Sequence, residues 1–189
     1  MRPDSHAAGT RSDCVVSIGM DVDELQHALG GVVLESAYLE RVLRATFSAL
    51  IGSKYAAVVD ARLTAAIMIE DCERLTRNHT DIGDPEKDGL LEALKVCREA
   101  NSDRNRVIHD AWATRPGNVM VTLHGSRPSH DVMVTVRTLA EVRQVADRVA
   151  DAADEVKTAM TAALGPDWLL VEDQLRQELG RDISVEPGT

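Results

Sequence analysis

The chain has 189 residues, a length that fits one domain with tails and suffices to bury a core without disulfides or metals. Apolar residues make up 44% but aromatics only 3%, so Ala, Leu and Val must build the core, a composition suited to closely packed helices. The net charge of −10 excludes wholesale binding of nucleic acid through a basic surface and leaves room only for a local contact.

Residues 1–20, with Pro3, Gly9, Gly19 and scattered polar side chains, read as a flexible N-terminal arm. From Asp21 the apolar positions Leu25, Leu29, Val32, Leu39, Leu43, Phe47 and Leu50 recur at helical spacing as far as Ile51. Gly30-Gly31 interrupts this helix and predicts a bend or a close helix contact. Gly52-Ser53 ends it and introduces a second helix over 54–77, with Val58, Val59, Leu63, Ile67 and Leu75 as its core positions. After a loop at 78–83, Asp84-Pro85 restarts a third long helix that carries Leu90, Leu91, Leu94 and Cys97 and runs to about Ala113.

Val119–Leu123 and Val132–Val136 are rich in β-branched residues and flank Gly125-Ser126-Arg127-Pro128, which predicts a β-hairpin. Thr138 and Glu141 have capping-box spacing and open a fourth long helix, with Val142, Val145, Val149, Ala152, Val156, Ala159 and Ala163 in one stripe. Gly165-Pro166 breaks it, and 165–189 reads as a short helix from Asp167 to Leu179 followed by a tail. The fold class expected is all-α: an up-and-down bundle over 21–164, with the hairpin inserted between the third and fourth long helices. Cys14, Cys72 and Cys97 are odd in number and widely spaced, which points to a reducing, cytoplasmic compartment and to no zinc site. No apolar run reaches membrane-spanning length, so no membrane partner is expected.

The chemistry gathers at the end of the third long helix. At 100° per residue Arg98, Ser102, Asn105, His109 and Trp112 fall on one stripe. Arg98, Arg104, Arg106 and Arg115 outnumber Glu99, Asp103 and Asp110, so this window is locally basic in an acidic chain. Histidine suits proton transfer because its unperturbed pKa is about 6.5, and arginine is permanently charged and grips phosphate oxygens bidentately. Asn105 lies about 40° from His109 around the helix and can orient the imidazole or a phosphate oxygen. Arg104 lies about 140° from His109, so one helix cannot easily aim both at one atom. Two copies facing across a dyad would, which predicts a homodimer.

Arg104-Asn105-Arg106-Val107-Ile108-His109 resembles the motif of the HEPN superfamily, all-α domains whose catalytic members carry Arg, a polar residue and then His late in a bundle helix. The resemblance covers the bundle from about Asp21 to Leu164, but its specific part is these six residues. It implies a metal-independent endoribonuclease that needs no cofactor, acts on RNA as a homodimer and serves as a toxin or defence effector, with an antitoxin protein as partner. Some family members are modified on a Tyr two residues after the His; Ala111 stands there, which puts that control in doubt. The bare Arg-x4-His spacing also occurs by chance about half a time in a chain of this composition, and Arg74 with His79 is a second copy. Adding Asn beside the Arg lowers the expectation to on the order of 0.01.

Two other readings compete. Arg104 can simply pair with a neighbouring acid such as Asp103 or Glu99 while His109 and Trp112 close the core, leaving a non-catalytic dimeric binding module. His124 and His130 flank the hairpin turn, but two imidazoles without a carboxylate or thiolate make a poor metal site. Beyond the motif, Arg98, Ser102, Arg106 and Trp112 are candidates for holding RNA. Lys54 and Tyr55 join them, since they begin helix two at the bundle end where an antiparallel third helix finishes.

Overall fold

A computed structural model describes residues 22–53, 55–109, 111–115, 119–125 and 132–170. The expected N-terminal arm, Lys54, the hairpin turn at 126–128, His130, the part of the expected short C-terminal helix beyond Leu170 and the tail after it lie outside the described residues. Among the described residues the elements follow in the order α1 (Val22–Ile51), α2 (Ala56–Asp60), α3 (Ala65–Asn78), α4 (Asp84–His109), β1 (Ala111–Arg115), β2 (Val119–Gly125), β3 (Val132–Arg137) and α5 (Leu139–Leu164). The molecule is a helical bundle, and the described strands form one antiparallel sheet of order β1-β2-β3.

The core is aliphatic, as the composition requires. Val32, Leu39, Leu43, Phe47 and Leu50 of α1 are buried, as are Leu90, Leu94 and Cys97 of α4 and Val142, Val145, Val149, Ala152 and Val156 of α5. The 3–4 spacing of these positions turns one face of each helix inward. Gly31 lies where α1 meets α5: a Cβ built there would stand 4.0 Å from the Ala146 Cβ, while one at Gly30 would have none of the described residues within 4 Å. Only one glycine of the pair therefore faces a neighbour.

Helix direction departs from a strict up-and-down order. Gly31 approaches Ala146, and Tyr38 bonds Asp154, so α1 and α5 rise together and are parallel. Asp103 pairs with Arg148 and Cys97 with the Ala152 carbonyl, so α4 runs antiparallel to α5 and hence to α1. The five-residue link His79–Gly83 folds α3 back against α4. Gly52, at φ +62°, turns the chain out of α1, and the short α2 follows before α3 begins.

Two expected elements need correction. The second helix is not continuous over 54–77: it breaks at Ala61–Thr64 into α2 and α3. Thr64 adopts an extended backbone, and its side chain accepts a hydrogen bond from the Ile67 amide, which starts α3 afresh. The break shifts the helical phase. Val58, Val59 and Ile67, expected in the core, are exposed, and Met68, Ile69 and Cys72 are buried instead. The third long helix stops at His109 rather than near Ala113, because Ala111–Arg115 pairs with Val119–Leu123 as β1. Trp112 is therefore on a strand, opposite Thr122, and not on the helical stripe.

At the other end of α5, Gly165 takes φ +84° and donates its N–H to the Thr161 carbonyl, ending the helix. Trp168 then folds back, 2% exposed, with its indole N–H on the Thr161 hydroxyl at 3.1 Å.

Candidate functional site

Arg104 is in the penultimate turn of α4 and leans onto α1. Its Nε donates to the Ser36 hydroxyl at 3.0 Å and its Nη2 to the Glu40 carboxylate at 3.1 Å. Nη1 donates to the Asn105 side-chain oxygen at 2.8 Å. All three guanidinium nitrogens thus have an acceptor, and three of the five N–H donors are assigned. The side chain keeps only 22% of its surface exposed, and the Glu40 side chain 36%. Ser36 is itself buried, and its hydroxyl donates to the Val32 carbonyl one turn back. That bond fixes the hydroxyl's proton, so its lone pairs face Arg104.

His109 is the last residue of α4, and its side chain is exposed. Five residues separate it from Arg104, about 7.5 Å of axial rise and 140° of rotation. The turn of Arg104 onto α1 keeps the two side chains on different sides of the helix. Asn105, expected to orient the imidazole or a phosphate oxygen, holds Arg104.

The remaining candidates are scattered. Arg98 pairs with Glu73 of α3 at 2.7 Å, and Glu73, almost fully buried, also receives Arg77 at 3.3 Å. Ser102, just before the motif, and Arg106, within it, are exposed. Arg106 approaches Asp103 at 3.7 Å, and Arg148 of α5 binds the other oxygen of Asp103 at 2.7 Å. Trp112 is half-buried against the core, with its indole N–H on the Val107 carbonyl at 2.9 Å. Tyr55 follows the far end of α1, beyond Ile51, which is about 16 Å along the helix axis from Glu40. It is not brought to Arg104, because α1 is antiparallel to α4. In the second Arg-x4-His copy, Arg74 pairs with Asp71 at 2.7 Å, and His79 follows the end of α3, where its Nδ1 accepts from the Asp81 amide.

Sequence reasoning missed Ser36 and Glu40. They stand one helical turn apart on α1, 68 and 64 residues from Arg104. The i, i+4 spacing of a serine and an acid inside an otherwise apolar-faced helix was the available signal, but nothing local names the partner. A second polar cluster joins α1 and α5: the Tyr38 hydroxyl donates to Asp154 at 3.0 Å and accepts from Lys157 at 2.8 Å. Arg41 and Lys157 both stand over the Tyr38 ring, at 5.6 and 5.5 Å from its centre. The Tyr38 bond, then the Lys157 bond, hold the Asp154 carboxyl below its usual range, and the same contacts raise the Lys157 ammonium.

Among the described residues no group of three or more His, Cys, Asp and Glu side chains could hold a metal ion, and no helix is long and apolar enough to cross a membrane. No family model, curated protein or solved structure matches this chain.

Proposed function

We propose that this chain is an endoribonuclease of HEPN type, working without metal as a homodimer on single-stranded RNA, as a toxin or defence effector. One observation carries the reading: Arg104, Asn105 and His109 close the last turns of a bundle helix, and Arg104 is held by three acceptors while still partly open to solvent. In this reading β2 and β3 are the hairpin inserted into the bundle. His109 moves protons, taking one from the 2′-hydroxyl or returning one to the leaving 5′-oxygen, and Arg104 stabilises the charge that builds on phosphorus. The 2′-oxygen attacks the adjacent phosphorus, the bond to the 5′-oxygen breaks, and the products carry 2′,3′-cyclic phosphate and 5′-hydroxyl ends. Exposed Ser102, two residues before the motif, and exposed Arg106, within it, lie along the RNA path.

The test is purified protein with single-stranded RNA in EDTA, with product ends identified. Cleavage that survives EDTA and leaves cyclic phosphate is the expected result, and His109→Ala should lower it roughly 10²–10⁴-fold. Activity that vanishes in EDTA and returns with magnesium defeats the mechanism. The second reading, a non-catalytic dimeric binding module, is favoured by the Arg104–Glu40 ion pair, which already neutralises the arginine. Growth arrest on overexpression, abolished by His109→Ala at equal protein level, separates the enzyme from the module.

A further inference from the structure

We infer that Ser36 and Glu40 of α1 are positioning residues for Arg104, an assignment that rests on the endoribonuclease reading above. An arginine side chain carries about 2 kcal/mol of rotamer entropy. A free arginine at a helix surface must lose that freedom as it grips a phosphate. Here the freedom is lost on folding. Nε and Nη2 meet Ser36 and Glu40 on one helix, at 3.0 and 3.1 Å, and Nη1 meets Asn105 at 2.8 Å.

The Ser36 contact is the most specific part of the cradle. Its hydroxyl is buried, it spends its proton on the Val32 carbonyl, and its lone pairs accept from Nε. An arginine needing only a counter-ion would be served by Glu40 alone. The serine adds direction rather than charge. Three acceptors against five donors leave the guanidinium with donor capacity for a phosphate oxygen in a fixed orientation. Such preorganisation acts on the developing transition state, because the donor does not reorganise as charge builds.

The experiment compares Ser36→Ala and Glu40→Gln, each alone and in the Arg104→Ala background, for single-stranded RNA cleavage in EDTA. In the native background kcat should fall roughly 3–10-fold for Ser36→Ala and about 10–100-fold for Glu40→Gln, with KM little changed. In the Arg104→Ala background neither substitution should lower activity further, since both act through the arginine. Thermal midpoints report whether each variant remains folded. Independently of cleavage, the Arg104 Nε–H signal in a nitrogen-15 NMR spectrum should be protected from exchange in the native protein and lose that protection in Ser36→Ala.

Full additivity with Arg104→Ala overturns the inference by showing a merely structural role, and an unprotected Nε–H in the native protein overturns it too. If His109→Ala abolishes cleavage while Ser36→Ala and Glu40→Gln retain native rates, the inference falls and the enzyme reading stands. Native protein that cuts RNA under no condition removes both.

Discussion

Asn105 and His109 differ in what their loss should do. Asn105 contributes one hydrogen bond to a guanidinium that Ser36 and Glu40 also hold. Asn105→Ala should therefore reduce RNA cleavage by roughly 10-fold, the weight of one bond to a charged group, and less than His109→Ala does. Kinetics on matched preparations check the ranking; equal losses would mean that Asn105 touches the reacting phosphate itself. Two cysteines provide a second prediction at this scale. Burial pushes the Cys97 thiol up to about 12 and Cys72 higher still, and the Cys97 thiol donates to the Ala152 carbonyl at 3.3 Å. The thiolate is the reactive species, so neither should react with a thiol reagent at pH 8 until denaturant opens the bundle. Quantifying adducts at each site by mass spectrometry checks this.

The Tyr38–Asp154–Lys157 cluster makes a pH prediction. Asp154 is held below its ordinary value of 3.8, so its contribution to stability is full above that value and is lost as pH falls through the lower folded one. Lys157 is raised above 10.5, so its contribution is full below 10.5 and is lost as pH rises through the higher folded value. Tyr38→Phe removes the hydrogen bonds that do most to hold Asp154 down and Lys157 up. Its thermal midpoint should fall slightly below that of the native protein at neutral pH, and the gap should close in strong acid and strong alkali. The effect is small because the charges are solvent-screened.

Helices with unbroken patterns were legible in the sequence, and those with competing signals were not. The Thr138–Glu141 capping box forms with both reciprocal bonds, and every stripe position from Val142 to Val156 is buried. Thr138→Ala should cost about 1 kcal/mol in a denaturant melt. The break at Ala61–Thr64 was hidden because Leu63 and Ile67 keep helical spacing, while Thr64 acts as a cap only once the chain turns there. Ala111–Trp112 read as helix because alanine favours helix, but cross-strand pairing with β2 overrides local propensity. The Arg104–Asn105–His109 set could be read from its spacing, whereas its support on α1 required the tertiary contact. For the glycine pair, Gly31→Ala brings a methyl to ordinary contact distance from Ala146, and Gly30→Ala points into open space. Each should stabilise the helix by about 0.5–1 kcal/mol; a loss at Gly31 would show that α1 and α5 cannot yield even slightly.

For the whole molecule, the separation of Arg104 and His109 on α4 demands a partner if both are to act on one phosphate. Light scattering should show a dimer at micromolar concentration, and a monomer would argue strongly against a shared site. Arg74→Ala is the matched control: Arg74 pairs with its helical neighbour Asp71 at the surface, so cleavage should remain at the native rate. The parallel pairing of α1 with α5 has a consequence for how the protein is made. Tyr38 and Asp154 are 116 residues apart, yet their helices bury each other's apolar faces. On the ribosome α1 emerges long before its cover exists, and at about 5–20 residues per second it waits several seconds or longer with Val32 and Leu39 unshielded. Closure of the bundle is then a late, long-range event. Arg104 can meet Ser36 and Glu40 only after α4 has left the exit tunnel, so a nascent chain carries the two acceptors on α1 well before the arginine they hold has emerged.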